Sequence, residues 1–215
     1  MSLRHKRWQI APPAPPEHLA HFPDLHHPLV QILYNRELTT PTEAAAFLDR
    51  RCVDDNPFNL KGMSQAVDHL RRALRAGERI AIYGDFDADG VTATALLVQT
   101  LKELGGDVRF YIPHRDEGYG LNKEALTNLA RLGVQVLVTV DCGIRSPDEV
   151  VHAQHLSMKV IITDHHHVGK QLPPARAVIN PKQPDCPYPF KDLAGVGLAY
   201  KLAQGLLRAQ RKVPL

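Results

Sequence analysis

The chain has 215 residues, of which 44% are hydrophobic and 23% charged, and its formal net charge is +3. That length suits one good-sized domain or one domain with a small attachment, and the composition is that of an ordinary soluble globular protein. No run of about 18 apolar residues exists, so no membrane span is expected, and so mild a basic excess barely favours nucleic acid over any other partner.

Three cysteines, Cys52, Cys142 and Cys186, are odd in number and lack CxxC spacing. They argue against a disulfide framework and against a structural zinc site, and a reducing compartment, the cytoplasm, is expected. The opening stretch MSLRHKRWQIAPPAPPEHL has no apolar core of the secretory type.

In chain order, Lys6 to Ile10 reads as a candidate strand and Pro12 to Pro16 as an extended linker. PLVQILYN (28–35) reads as a helix. Thr40-Pro41-Thr42-Glu43 is a capping box with proline at the first helical position, opening EAAAFLDRR. Residues 1–60 are thus expected to form a small extended and helical segment. Ala66, Val67, Leu70, Ala73 and Leu74 in GMSQAVDHLRRALRA have helical spacing.

From residue 79 the rhythm changes. RIAIYG, VRFYIP, VQVLVTV and KVIIT are short, β-branched and almost continuously apolar, which suits strands buried on both faces of a parallel sheet. Between them lie VTATALLVQTLKELGG, NKEALTNLARLG and SPDEVVHAQHL. The first two end in glycine, and the third opens with Ser146-Pro147-Asp148-Glu149, a second expected capping box. Alternating strand and helix predicts a doubly wound α/β domain over 61–215, with a mainly parallel sheet and flanking helices.

In open α/β sheets, ligands sit beyond the carboxyl ends of the strands. After IAIYG come Asp85, Asp87 and Asp89; after VLVTV comes Asp141; after VIIT come Asp164, His165, His166 and His167. Any one of these acids could simply cap the next helix. Five at one edge would repel one another and raise each other's pKa unless a cation sits among them. Those loops contain no lysine, and the nearest cation is Arg145. A divalent metal, as a pair, is therefore expected. Oxygen ligands with one or two imidazoles suit Mn²⁺ or Mg²⁺ better than zinc, and a metal pair suits phosphoester hydrolysis. The DxD spacing in an extended turn would put Asp87 and Asp89 on the same side, each facing a different metal. Gly90 would let the backbone approach closely and open a helix whose N-terminus favours an anion.

YGDFDADGVTATALL, VTVDCGI and ITDHHH resemble motifs of the DHH phosphoesterase superfamily. IPHRDEGYGLN (112–122) and LAGVGLAYKLA (193–203) are similar to its RecJ branch, 5′-to-3′ exonucleases of single-stranded DNA. RELTTPTEAAAFLD and NPFNLKGMSQAVDHL resemble the segment preceding that domain, so the resemblance spans essentially the whole chain. It implies that Asp87, Asp89, Asp141 and His165 ligate metal and that His166 lies against the scissile phosphate. Asp164 would hold His165 in its ligating tautomer, and Asp85 would support the site or position substrate. His167 reads as an exposed loop residue. Arg115 would grip the 5′ end, against the alternative of a salt bridge to Asp116 or Glu117. Tyr119 could stack on a base or simply pack. Gly118 and Gly120 imply a tight turn near substrate, and Gly195 and Gly197 open a helix at the same edge. His114 reads as structural or solvent-facing, and Cys142 as buried packing.

The resemblance also implies a further metal-binding aspartate beyond the AGVG helix, yet residues 193–215 contain no Asp or Glu. The chain is therefore expected to be an amino-terminal portion with reduced or no activity alone, its partners being single-stranded DNA and the remaining C-terminal domains. Two other readings keep the fold. One is a non-catalytic scaffold, whose relatives have lost the acidic motifs that are intact here. The other is a phosphodiesterase of small nucleotides, from branches that lack EGYGL and AGVG.

Overall fold

The computed structural model describes residues 9–49 and 56–212. The chain divides into two compact units, Met1–Asp55 and Asn56–Leu215.

In the first unit, α1 (Pro16–Ala20), α2 (His27–Tyr34) and α3 (Pro41–Leu48) surround a small core of Phe22, Val30, Leu33 and Ala44. The predicted capping box at α3 is present: Glu43 N donates to Thr40 Oγ1 at 3.2 Å and Thr40 N donates to Glu43 Oε2 at 3.0 Å. Two expectations change. Pro16 ends no linker but opens α1, because its fixed φ and missing N–H suit a first helical position. Gln9 and Ile10 are not in a strand; the rest of that candidate strand, and Cys52, lie outside the described residues.

The second unit contains α4 (Met63–Arg75), β1 (Ile80–Tyr83), α5 (Ala88–Glu103), β2 (Val108–Tyr111), α6 (Lys123–Arg131), β3 (Val136–Val140), α7 (Pro147–His155), β4 (Lys159–Thr163), β5 (Ala177–Ile179) and α8 (Gly195–Lys212). The five strands form one sheet in the order β2-β1-β3-β4-β5, with every neighbouring pair parallel. This is the predicted doubly wound architecture. The order reverses between β1 and β3, which is where such sheets open a crevice for ligands.

Alternation along the strands assigns the two faces. Ile80, Ile82, Val136, Val138, Val140, Ile161 and Ile179 pack with α4, α5 and α8. Ala81, Tyr83, Leu137, Val160 and Ile162 pack with α6 and α7. Every residue of β1 and β3 is buried, so neither strand could change register without moving its whole apolar set to the other face. Leu97 of α5 is fully buried against the first face, and Leu97→Ala would cost about 2–5 kcal/mol.

Three local readings need correction. β2 is an edge strand with Arg109 and Phe110 exposed, so it is not buried on both faces. β5 was not anticipated, since three residues are too short for a periodic signal. Ser146 makes no capping bond to α7: its ψ of 54° is not the extended conformation that aims a side chain back at the first turn, and Pro147 alone marks the start.

Candidate metal centre

The carboxyl ends of β1, β3 and β4 converge as their sequences imply, and the ladder continues one residue into each loop. Gly84 N donates to Tyr111 O at 3.0 Å, Asp141 N to Thr163 O at 3.0 Å and Asp164 N to Ile179 O at 3.1 Å. Asp141 and Asp164 are therefore fixed by backbone that is still hydrogen-bonded as sheet. Asp141 adopts φ 61°, a left-handed conformation that Asp tolerates better than most residues. Thr139 Oγ1 pins the turn from beneath by donating to Cys142 O at 2.8 Å.

The β1 loop is arranged differently from the expected extended turn. α5 starts at Ala88, before the predicted helix, so Asp87 is its N-cap and Asp89 lies in its first turn. Asp87 Oδ1 accepts from Asp89 N at 2.9 Å and Gly90 N at 3.0 Å. Gly90 permits the close approach: a Cβ there would stand 2.5–2.7 Å from the backbone of Asp85. Asp85 is buried, and Phe86 N donates to its Oδ1 at 2.7 Å.

Asp89 reaches across to α8. Gly195 N donates to Asp89 Oδ2 at 2.7 Å and Val196 N donates to Oδ1 at 2.6 Å, which satisfies two orphan donors of the helix start. A Cβ at Gly195 would lie 2.7–2.8 Å from the Asp141 side chain, so only glycine lets α8 begin here. Gly197 faces Leu193 instead, with a Cβ there 3.3 Å from Leu193 Cδ2.

His165 Nε2 lies 3.0 Å from Asp141 Oδ1 and 3.7 Å from Asp89 Oδ2. His166 Nδ1 lies 2.8 Å from Asp164 Oδ1 and 3.0 Å from the Tyr119 hydroxyl. Asp164 Oδ1 also accepts from His166 N at 2.9 Å, and Oδ2 from Ile144 N at 2.9 Å. Asp164 therefore orients His166, not His165 as the resemblance implies. The chain turns immediately after β4, so the carboxylate curls back onto the residue two along. His167 is exposed, as expected; its carbonyl accepts from Arg145 Nε at 3.0 Å.

Tyr119 is anchored at its tip and open on its ring. Its hydroxyl donates to Asp141 O at 3.2 Å, while the residue is 54% exposed. Gly118 and Gly120 flank it with φ of 86° and 93°. Arg115 does not pair with its acidic neighbours. Asp116 meets His114 Nδ1 at 3.1 Å, and Glu117 accepts from Tyr111, from His114 N and from Asn122. The Arg115 guanidinium instead sits 5.0 Å over the Phe86 ring. His114 is solvent-facing and caps the short turn Arg115–Glu117. Cys142 is fully buried, with burial pushing its thiol well up, as suits packing.

Two residues were missed. Asn180, fully buried just after β5, donates through Nδ2 to His166 O at 2.9 Å and so fixes the backbone of that histidine. Only its place after an apolar triplet, before Pro181, signals it in the sequence. Arg145, read only as the nearest cation, lines a cleft of about 180 Å³ with Tyr119, Gly120, Gly143, Asp164 and His166.

Electrostatics mark the centre. Among the described residues, Asp89, Asp141 and Asp164 have histidines as their ion-pair partners. Burial, then the charges of Asp89, Asp87, Asp164 and Asp85, push the Asp141 carboxyl up to about 8. Burial raises Asp85 as well. Asp141 Oδ1 is buried and accepts no hydrogen bond. Ligand atoms of Asp141, His165 and His166 lie within 4.8 Å of one another, as do those of Asp85, Asp87 and Asp141. Asp141 is common to both groups, which is the arrangement a carboxylate shared by two cations requires.

Residues 79–215 match the DHH family, N-terminal domain. The chain belongs to the DHH family. It is 45% identical over 205 residues to the single-stranded-DNA-specific exonuclease RecJ of Bacillus subtilis (strain 168), covering 94% of this chain and 26% of that protein. The Escherichia coli (strain K12) protein of the same name is 43% identical over 182 residues, covering 83% of the chain and 31% of that relative. This DHH chain thus spans about a quarter to a third of the curated relatives it matches. Among solved structures, RecJ bound to manganese aligns with a TM-score of 0.65 at 40% identity, covering 73% of this chain and 39% of the other. RecJ of Thermus thermophilus in complex with Mn²⁺ aligns with a TM-score of 0.68 at 31% identity, covering 91% of this chain and 27% of the other.

Proposed function

We propose that this DHH unit is the metal-binding half of a phosphodiester hydrolase that shortens single-stranded DNA from its 5′ end. The observation that carries the reading is the buried Asp141 carboxylate, whose Oδ1 accepts no hydrogen bond, has His165 Nε2 beside it at 3.0 Å and feels the charges of Asp85, Asp87, Asp89 and Asp164. A buried polar atom in a native protein is normally satisfied, and a divalent cation satisfies this one while neutralising its neighbours. The carboxylate-rich donor set with imidazole fits Mn²⁺ or Mg²⁺, the ions in the solved RecJ relatives.

Asp87, Asp89, Asp141 and His165 would hold the ions. When bound, a metal pair activates a water and stabilises charge on the phosphoryl oxygens. Asp87 uses Oδ1 to cap α5 and has Oδ2 to offer, so the capping bond fixes its direction. Asp89 is held between two N–H donors, which orients both of its oxygens. His166, with Nδ1 against Asp164 and Tyr119, has Nε2 left to meet the scissile phosphate and supply a proton or a hydrogen bond. Asp85 would keep Phe86 and the Asp87 turn in place. Arg115, stacked on Phe86 and exposed, would grip a terminal phosphate with its planar fork. The open ring of Tyr119 would receive a base. Gly118 and Gly120 bring backbone close to the strand, and Gly195 and Gly197 shape the start of α8. Further C-terminal domains would complete the substrate channel and full activity, and a cytoplasmic setting fits the free Cys142 and Cys186. Among the described residues, no helix is long and apolar enough to cross a membrane.

Manganese titration of the purified chain by calorimetry at pH 8 is expected to show binding that Asp141→Asn abolishes. A chain that takes up no Mn²⁺, or a 5′-phosphorylated single strand degraded from its 3′ end, would overturn the reading.

A further inference from the structure

The opposite edge of the same sheet carries a second polar cavity, of about 600 Å³. Its walls come from elements that meet only in the fold. The carboxyl half of α4 gives His69 and Arg72, the turn before β1 gives Glu78, the first residue of β4 is Lys159, and Arg176 precedes β5. Because all strands are parallel, these amino ends lie together, a strand length or about 15 Å from the carboxyl-edge aspartates.

The chemistry of this cavity is two-ended. Arg72 and Arg176 are exposed, and Lys159 is partly buried. Lys159 Nζ meets Glu78 Oε1 at 2.6 Å, which leaves Glu78 Oε2 buried and without a donor. His69 Nε2 is likewise buried and without a partner. Burial, then Lys159 and Arg72, hold the His69 imidazole below its usual range, with Glu78 opposing and Arg176 adding to the effect. Arg72 and Arg176 therefore face solvent, with the exposed Asp68 beside them, while a carboxylate oxygen and an imidazole nitrogen wait below. A simple anion would satisfy the first set and be repelled by Glu78. The cavity opens to solvent, and its volume of about 600 Å³ is one that a small molecule fills.

We propose that this amino-edge cavity binds a small phosphate monoester carrying hydroxyl or amino donors, of the nucleoside monophosphate class. The phosphate sits between Arg72, Arg176 and Lys159, and a sugar or base donor reaches Glu78 Oε2 and His69 Nε2. The site is separate from the metal centre and does not depend on the activity proposed for it.

The test uses the metal-free chain in EDTA, so that the aspartate cluster cannot hold nucleotides through a cation. Imidazole ¹H–¹⁵N spectra follow His69, assigned with His69→Gln, during titration with inorganic phosphate, a deoxynucleoside 5′-monophosphate, the corresponding nucleoside, and a single-stranded oligonucleotide at constant ionic strength. The monophosphate is expected to shift the His69 resonances and to bind more tightly than either inorganic phosphate or the nucleoside. Arg72→Ser and Arg176→Ser, both at exposed positions, should each weaken it by about tenfold, the loss expected for one charge-assisted hydrogen bond. No His69 shift, equal affinity for inorganic phosphate, undiminished binding in both arginine variants, or tighter binding of the oligonucleotide at His69 would each overturn the proposal.

Discussion

The two edges of the sheet treat charge in opposite ways. At the amino edge, acids meet bases within the chain: Arg79 Nε lies 2.6 Å from Asp107 Oδ2, and Lys159 Nζ lies 2.6 Å from Glu78 Oε1. At the carboxyl edge, five aspartates gather with no lysine in their loops, and Asp141 is pushed up to about 8. The same backbone supports both edges, so the difference lies in the side chains. One edge pairs these acids with bases of the chain; the other gathers acids whose balancing charge, on the proposed reading, a bound cation supplies.

Asp141→Asn breaks the contrast most directly. It replaces the carboxylate common to both ligand groups, so on the proposed reading Mn²⁺ affinity and any nuclease activity should fall by more than about 100-fold. The metal-free protein should move the other way. Its stability at pH 8 should rise by a few kcal/mol, since each unit of a raised pKa is worth about 1.4 kcal/mol. Urea denaturation in EDTA checks this, and a loss of stability there would mean that the carboxylate is structural.

The pH dependence follows from the same residue. The folded chain keeps a proton on Asp141 up to about pH 8, while the unfolded chain releases it near 3.8. Over that window the native state binds more protons, so the stability of the metal-free chain should fall as pH rises, by up to about 1.4 kcal/mol per pH unit. Asp85, raised by burial, adds to the trend. Saturating Mn²⁺ should flatten or reverse it, because the ion competes with the proton. Thermal melts at several pH values, with EDTA and with Mn²⁺, would show whether the two curves diverge upward.

Gly195→Ala should have a smaller effect that still couples both properties. Its methyl would overlap the Asp141 carboxylate at 2.7–2.8 Å, so α8 must shift and the two N–H bonds to Asp89 must lengthen. We expect a loss of about 1–3 kcal/mol in stability, as for other overpacked sites, with weaker Mn²⁺ binding in calorimetry.

These residues also show what the sequence can and cannot reveal. β1, β3 and β4 are legible because buried parallel strands are nearly continuous apolar runs, and the acids after them are legible because doubly wound sheets put ligands there. β5 is not, because Ala177–Ile179 offers three residues of signal; Asn180, which it positions against His166, is hidden with it. The partner of Asp164 is invisible for another reason. Whether its carboxylate meets His165 or His166 depends on how the chain turns after β4, and no spacing rule encodes that. The link from Asp89 to Gly195 and Val196 spans more than 100 positions and exists only once α5 and α8 are packed.

The amino edge supplies the smallest expected effect. Asp107→Asn leaves the shape and removes one charge from the pair with Arg79, whose side chains are 35% and 44% exposed. Water and salt screen such a pair, so its loss should cost less than about 1 kcal/mol. Arg79 keeps a second partner, since its guanidinium also donates to Leu132 O. Mn²⁺ affinity should not change, because Asp107 and the aspartate cluster lie at opposite ends of the strands. Equal calorimetric isotherms for Asp107→Asn and the parent chain would show that the carboxyl edge carries its charge problem alone. A shifted isotherm would show that the two edges communicate through β1 and β2, and the contrast between them would no longer be one of local chemistry.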